Sequence, residues 1–88
     1  MKRYKVKLKE SAKKALEKMD KYQATLILKW LNKHLENTDN PRLHGKGLSG
    51  NYSHKWRYRI GIYRLIADIQ DETLIILVIA IRHRKDIY

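Results

Sequence analysis

The sequence predicts an α+β fold in the order β-α-α-β-β-β, a helical hairpin packed on one face of a twisted, mainly antiparallel sheet. Three observations carry this. Apolar residues alternate with lysines over Lys2–Lys9, which is the periodicity of a strand. Between residues 11 and 40 they recur at helical spacing in two consecutive segments. From His54 the alternation returns, crosses a glycine, and ends in an apolar, β-branched run.

In the first element Tyr4, Val6 and Leu8 alternate with lysines, giving a half-buried strand whose cationic face protects a sheet edge. Ser11 is placed to cap the first helix. Ala12, Ala15, Leu16 and Met19 then form one apolar stripe. Asp20 with Gln23 has the form of a capping box for the second helix, whose stripe is Ala24, Ile27, Leu28, Leu31 and Leu35. That helix should fade near Asn37 to Asn40 and stop at Pro41. Pro41 to Ser53 reads as a connector rich in glycine. It contains no GxxxxGK[ST] or GxGxxG match. Strands follow over His54–Ile60 and Ile62–Ile69, then a polar turn at Gln70-Asp71-Glu72. Thr73–Ile81 is nearly all apolar and belongs inside the sheet. Arg82 to Tyr88 is a basic tail leaving the end of that strand.

The segment His54 to Arg64 organises the chemistry. Lys55, Arg57 and Arg59 share one strand face, and Trp56, Tyr58 and Ile60 share the other, the core side. Gly61 marks a short hairpin turn. With a two-residue loop, either Ile60-Gly61 or Gly61-Ile62, Arg64 joins the cations. In the second register Arg59 faces Arg64, Arg57 faces Ile66 and Lys55 faces Asp68. A three-residue loop would send Arg64 to the apolar face. Like charges directly opposite destabilise a sheet by up to about 1 kcal/mol per pair, so a face that gathers four cations is built to meet an anion.

Composition agrees. Twenty Lys and Arg against nine Asp and Glu give a net charge of +11 over 88 residues, which points to a polyanion such as nucleic acid. The length suits one domain over residues 1–88. No run reaches a membrane span, no signal peptide opens the chain, and there is no cysteine, so a cytoplasmic protein with no membrane role is expected. His34, His44, His54 and His83 have no metal-binding spacing and the carboxylates do not cluster. No metal or other cofactor is expected.

Metal-free RNA cleavage fits this inventory. RNA carries its own nucleophile, the 2′-OH, and fixed cations can stabilise charge on the phosphoryl oxygens. Lys55, among other cations, is a candidate base or electrostatic clamp. Arginine suits phosphate through its fork, and Arg59, Lys46 and Arg82 are candidate phosphate contacts. His83 could shuttle protons, and Tyr88, Tyr58 or Trp56 could stack a base.

Gly47-Leu48-Ser49-Gly50, Trp56-Arg57-Tyr58-Arg59-Ile60-Gly61, Tyr63-Arg64-Leu65-Ile66 and His83-Arg84-Lys85-Asp86-Ile87-Tyr88 together resemble the RelE branch of the RelE/ParE toxin superfamily. The resemblance spans the whole chain and implies a RelE-like β-α-α-β-β-β fold. It also implies the toxin of a type II toxin–antitoxin system, an mRNA interferase that cuts mRNA in the ribosomal A site by 2′-OH attack. The family's catalytic positions fall on Lys55, Arg57, Arg64, His83, Arg84 and Tyr88. Arg57 would clamp phosphate but is a poor base, which leaves that role to Lys55. Implied partners are the ribosome, mRNA and a cognate antitoxin. An acidic or amphipathic segment of the antitoxin would wrap the toxin and block the basic face or displace the tail from Arg82 to Tyr88. Two alternatives share the charge and fold. One is a ParE-like poison of DNA gyrase without nuclease activity. The other is an RNA-binding module without catalysis.

Overall fold

A computed structural model of the chain describes residues 2–48 and 55–86. Its elements are β1 (Lys5–Leu8), α1 (Glu10–Lys18), α2 (Lys21–His34), β2 (Lys46–Gly47), β3 (Lys55–Ile60), β4 (Tyr63–Gln70), β5 (Ile75–His83) and a 3-10 turn at Arg84–Asp86. The sheet has five strands in the order β1-β5-β4-β3-β2, antiparallel except where β1 pairs with β5. This is the expected α+β architecture with one strand more than the sequence indicated. None of the helices among the described residues is long and apolar enough to cross a membrane.

The two helical stripes converge on one sheet face, except that Leu28, expected in the second stripe, is 46% exposed. Ala12, Ile27, Leu31 and Leu35 bury against Tyr58, Leu65, Ala67, Ile69, Ile76 and Val78, and no charged or polar residue is buried with them among the described residues. Each large apolar side chain buried this way contributes about 1.5–3 kcal/mol. β1 is an edge strand with Lys5 and Lys7 exposed. Its outer side is partly covered, since the Val6 N–H donates to Glu36 Oε1 at 2.9 Å.

Several local expectations are corrected. Ser11 does not cap α1. Lys9 holds that position without a side-chain cap, because its N–H continues the β1–β5 ladder to the Val78 carbonyl and the helix starts at Glu10. Asp20 does cap α2, accepting from the Tyr22 N–H at 3.1 Å. α2 stops at His34, earlier than Asn37 to Asn40. The N–H groups of Leu35 and Glu36 both return to the Leu31 carbonyl, and Asn37 turns left-handed at φ +63°. The glycine connector contains β2, with Lys46 opposite Arg57 and Gly47 opposite Trp56.

The hairpin takes the second of the two registers. Gly61 and Ile62 form the loop, Gly61 at φ +58°, and Arg59 faces Arg64, Arg57 faces Ile66 and Lys55 faces Asp68. Positive φ at the first loop position alone is the pattern of a type II′ turn, whose twist matches the strands.

β5 carries a feature that periodicity did not reveal. Ile66 pairs with Ala80 and Ala67 with Val78, so Ile79 is an extra residue. This bulge reverses the alternation along β5. Ile76 and Val78 point to the core before it, and Ile81 does so after it. Without the bulge Arg82 would face the core. With it, Arg82 stands opposite Arg64 on the open face. The carbonyl of Ile79 accepts the Ser11 hydroxyl at 2.6 Å, so the serine satisfies the bulge rather than the helix end.

Asp71, in the β4–β5 turn, ties three segments together. Both its oxygens accept from the Arg42 guanidinium, at 3.0 and 2.9 Å, and Oδ1 also accepts the Tyr4 hydroxyl at 2.6 Å. The Arg42 contacts first, and the Tyr4 bond second, hold its carboxyl down at about 2. The folded state therefore keeps Asp71 ionised where the unfolded chain, near its ordinary value of 3.8, takes up a proton. That stability is present above about pH 4 and is lost as pH falls toward 2. Both partners are about half exposed, so the effect at neutral pH is under about 1 kcal/mol. Asp71→Asn should melt slightly below wild type at pH 7, and the gap should close by pH 2. A gap that stays constant in thermal melts across this range would remove the bridge from the account.

Candidate functional site

The sheet face opposite the helices carries the charge. Across three neighbouring strands Arg59, Arg64 and Arg82 stand directly opposite one another, with Arg64 in the middle. Adjacent strands lie about 4.8 Å apart, so this row places three guanidinium groups within reach of one ligand. One register step away Lys46 stands opposite Arg57.

Gly45, Lys46, Arg57, Arg59 and Arg64 line a pocket of about 360 Å³. Its cationic wall has an energetic oddity. The Nη1 atom of Arg64 is buried and has no hydrogen-bond partner among the described residues. A buried donor left unpaired costs about 1–3 kcal/mol, and more when charged. Arg64 also lines the pocket, so an anion entering it would draw the guanidinium out to an acceptor, and the like-charged neighbours would become an advantage.

The pocket's floor depends on close backbone approach. Gly45 sits at φ +79°, and a Cβ there would overlap the Arg57 carbonyl oxygen and lie 3.0 Å from both Trp56 Nε1 and Tyr58 Cδ1. The connector from Pro41 to Gly47 is pinned from beneath. The buried Tyr58 hydroxyl donates to the Pro41 carbonyl at 2.6 Å, and the Trp56 indole N–H donates to the His44 carbonyl at 2.6 Å. Burial pushes the Tyr58 phenol well above its usual range, so it stays a donor. His44 packs edge-on against His34 and Trp30, with ring centroids 4.8 and 5.7 Å apart. Desolvation first, then the charge of His44, lowers the His34 imidazole below its ordinary value.

Of the residues singled out in the sequence, Lys46, Arg57, Arg59 and Arg64 meet in the pocket. Arg82 extends the row beyond it. Lys55 is on the same face but not in the pocket wall. Its Nζ lies 3.8 Å from Asp68 Oδ1, the residue expected to face it in this register. The bulge that turns Arg82 outward turns His83 to the helix side. There its ring lies edge-on to Tyr63 at 5.4 Å and its Nδ1 accepts the Lys85 N–H. His83 is thus not brought together with the cation row. Arg84 is exposed in the 3-10 turn, and its N–H donates to the Ile62 carbonyl at 2.8 Å, which docks the tail on the hairpin loop. Tyr88 lies outside the described residues. Trp56 and Tyr58 are on the core side, as expected, with Tyr58 fully buried. Sequence reasoning missed Gly45 as a pocket wall, since nothing in a glycine-rich connector marks which glycine touches a strand.

The fold and the chain have relatives. The family model describing the ParE toxin of the type II toxin–antitoxin system parDE matches residues 6–88. An Escherichia coli protein described as a RelE-like toxin is 36% identical over 88 residues, covering 98% of this chain and 90% of that protein. The toxin–antitoxin complex RelBE2 from Mycobacterium tuberculosis contains a chain that superposes with a TM-score of 0.79 at 23% identity, over 93% of this chain and 99% of that one. The RelE–RelB complex from Pyrococcus horikoshii contains another, with a TM-score of 0.71 at 24% identity, over 98% and 99%. At these identities the two structures speak for the fold.

Proposed function

This chain belongs to the ParE toxin family, within the RelE/ParE superfamily of type II toxins, and from the cation pocket on its open sheet face we propose that it is a ribosome-dependent mRNA endonuclease. The observation that carries the reading is Arg64, whose buried Nη1 has no partner among the described residues, in a pocket shared with three other cations. Gathering these charges destabilises the free protein, and a phosphate relieves it.

In this reading mRNA in the ribosomal A site places a phosphate in the pocket. The 2′-oxygen forms a bond to phosphorus and the bond to the 5′-oxygen breaks, leaving a 2′,3′-cyclic phosphate. One proton leaves the 2′-OH and another reaches the departing 5′-oxygen. Arg64, Arg57, Arg59 and Lys46 take the charge that grows on the non-bridging oxygens. Arginine remains a fixed cation, so proton transfer on this face falls to Lys55, held by Asp68. Arg84 and Tyr88 would approach from the tail. A cognate antitoxin would cover the basic face, as the solved relatives named above are complexes of toxin with antitoxin.

The test is primer extension on a defined mRNA in a translating extract. Wild type should give discrete cuts within codons that require ribosomes, and Arg84→Ala should lose them. Lys55→Arg keeps the charge but not the proton exchange, and should slow cleavage by about 10²–10⁴-fold. A near-normal rate would leave Lys55 as a charge only. The match to the ParE family model favours a second reading, a gyrase poison. Growth arrest with gyrase-linked DNA breaks and no mRNA cuts would select it.

A further inference from the structure

A second cationic cleft lies round the corner from the pocket, between α1 and β5. Its rim is Lys14, Lys18 and Arg82, all exposed, and its floor is Ala15, Ala80 and Ile81. No carboxylate among the described residues lines it. Lys14 and Lys18 are four residues apart, hence on one helix face. Among the described residues the ion pairs are Arg42–Asp71 and Lys55–Asp68, so none of the three rim cations is paired there. Arg82 belongs to both places. It is a rim residue of the cleft and stands directly opposite Arg64 in the sheet. The bulge at Ile79 and its bond to Ser11 create this sharing, and the same serine holds α1 beside the strand.

We propose that this cleft is a second RNA-backbone subsite, in which Lys14 and Lys18 hold a phosphate of the strand whose scissile phosphate sits at Arg64. The inference rests on the endonuclease reading and extends it. The cations form a continuous path from Lys46 through Arg57, Arg59, Arg64 and Arg82 to α1, longer than one phosphate can use. The floor is two alanines and one largely buried isoleucine. That is too little apolar surface to seat a partner helix, but it suits one nucleotide lying flat. Single-stranded RNA is therefore the occupant this surface fits, in preference to an acidic peptide.

The experiment measures binding of 2′-O-methyl RNA, which lacks the attacking hydroxyl, as a trinucleotide and as a dodecanucleotide at several salt concentrations. Wild type should bind the longer strand more tightly and with a steeper salt dependence, each extra phosphate neutralised on a single strand adding about 0.7 to the slope. Lys14→Ala/Lys18→Ala should lose most of that length gain, by about tenfold at low salt, and keep trinucleotide binding. Lys13→Ala/Lys29→Ala removes the same charge outside the cleft and should keep the gain. Equal loss in both double variants would reduce the effect to net charge and overturn the proposal, as would an unchanged gain in the first. Binding of poly-glutamate that depends on Lys14 and Lys18, without an RNA length gain, would assign the cleft to a protein and overturn it too. The endonuclease reading fails separately, if trinucleotide binding is absent or indifferent to Arg64→Met.

Discussion

Arg64→Met is expected to reduce mRNA cleavage by about 10²–10³-fold, the usual effect of removing one preorganised donor from developing charge. The same change should leave the fold as stable as wild type or raise it by about 1–3 kcal/mol. Methionine fills the space of the arginine stem, and the variant no longer buries an Nη1 without a partner among the described residues or opposes Arg59 and Arg82 with like charge. A loss of function joined to a gain of stability is the signature of a group held in place for a ligand. Inorganic phosphate gives a second readout that needs no ribosome. It should raise the melting temperature of wild type, by mass action, and not that of Arg64→Met. Should the variant unfold more easily and still cleave, the arginine would be structural and the pocket would lose its centre.

The hairpin was legible because its arithmetic is closed. Cations and aromatics alternate from Lys55 to Ile60, one glycine breaks the run, and a loop of two residues leaves Arg64 only one face. The structure chose Gly61-Ile62 over Ile60-Gly61, and both give the same face. The helical stripes, apart from the exposed Leu28, and the edge position of β1 followed as directly from spacing and lysine placement. What periodicity could not reveal is where it breaks. An extra residue at Ile79 leaves an apolar run looking uniform, yet it decides that Arg82 joins Arg64 and His83 does not. Ser11 has the composition of a cap, but a neighbouring strand carried the backbone one residue further and gave its hydroxyl to the bulge. β2 is two residues long and one is glycine, so it has no pattern to read. Its pairing comes from contacts with Trp56 and Arg57, which are known only once the sheet exists.

Those contacts make Gly45 the most sensitive position of the connector, and a series of three glycines tests why. Gly45→Ala meets two costs together. A left-handed φ costs an L-residue about 1–2 kcal/mol, and an added methyl against a fixed neighbour costs about 1–3 kcal/mol more. The fixed neighbour is the backbone carbonyl of Arg57, which cannot rotate away as a side chain would. Gly61→Ala meets the first cost alone, since φ is +58° and nothing among the described residues lies within 4 Å of the added Cβ. Gly47→Ala meets a mild form of the second, its Cβ lying 3.0 Å from the edge of the Trp56 ring. Thermal melts should therefore rank Gly45→Ala far below the other two, by about 8–40 °C from wild type at about 4–8 °C per kcal/mol in a domain of this size. The loss should also reach the site, because the connector relieves the clash by lifting Gly45 and Lys46 away from Arg57. RNA binding measured below the melting temperature should weaken in Gly45→Ala and persist in Gly61→Ala. If instead Gly45→Ala melts with Gly61→Ala and binds RNA normally, the connector does not form the pocket wall, and the four cations are a charged surface without a built site.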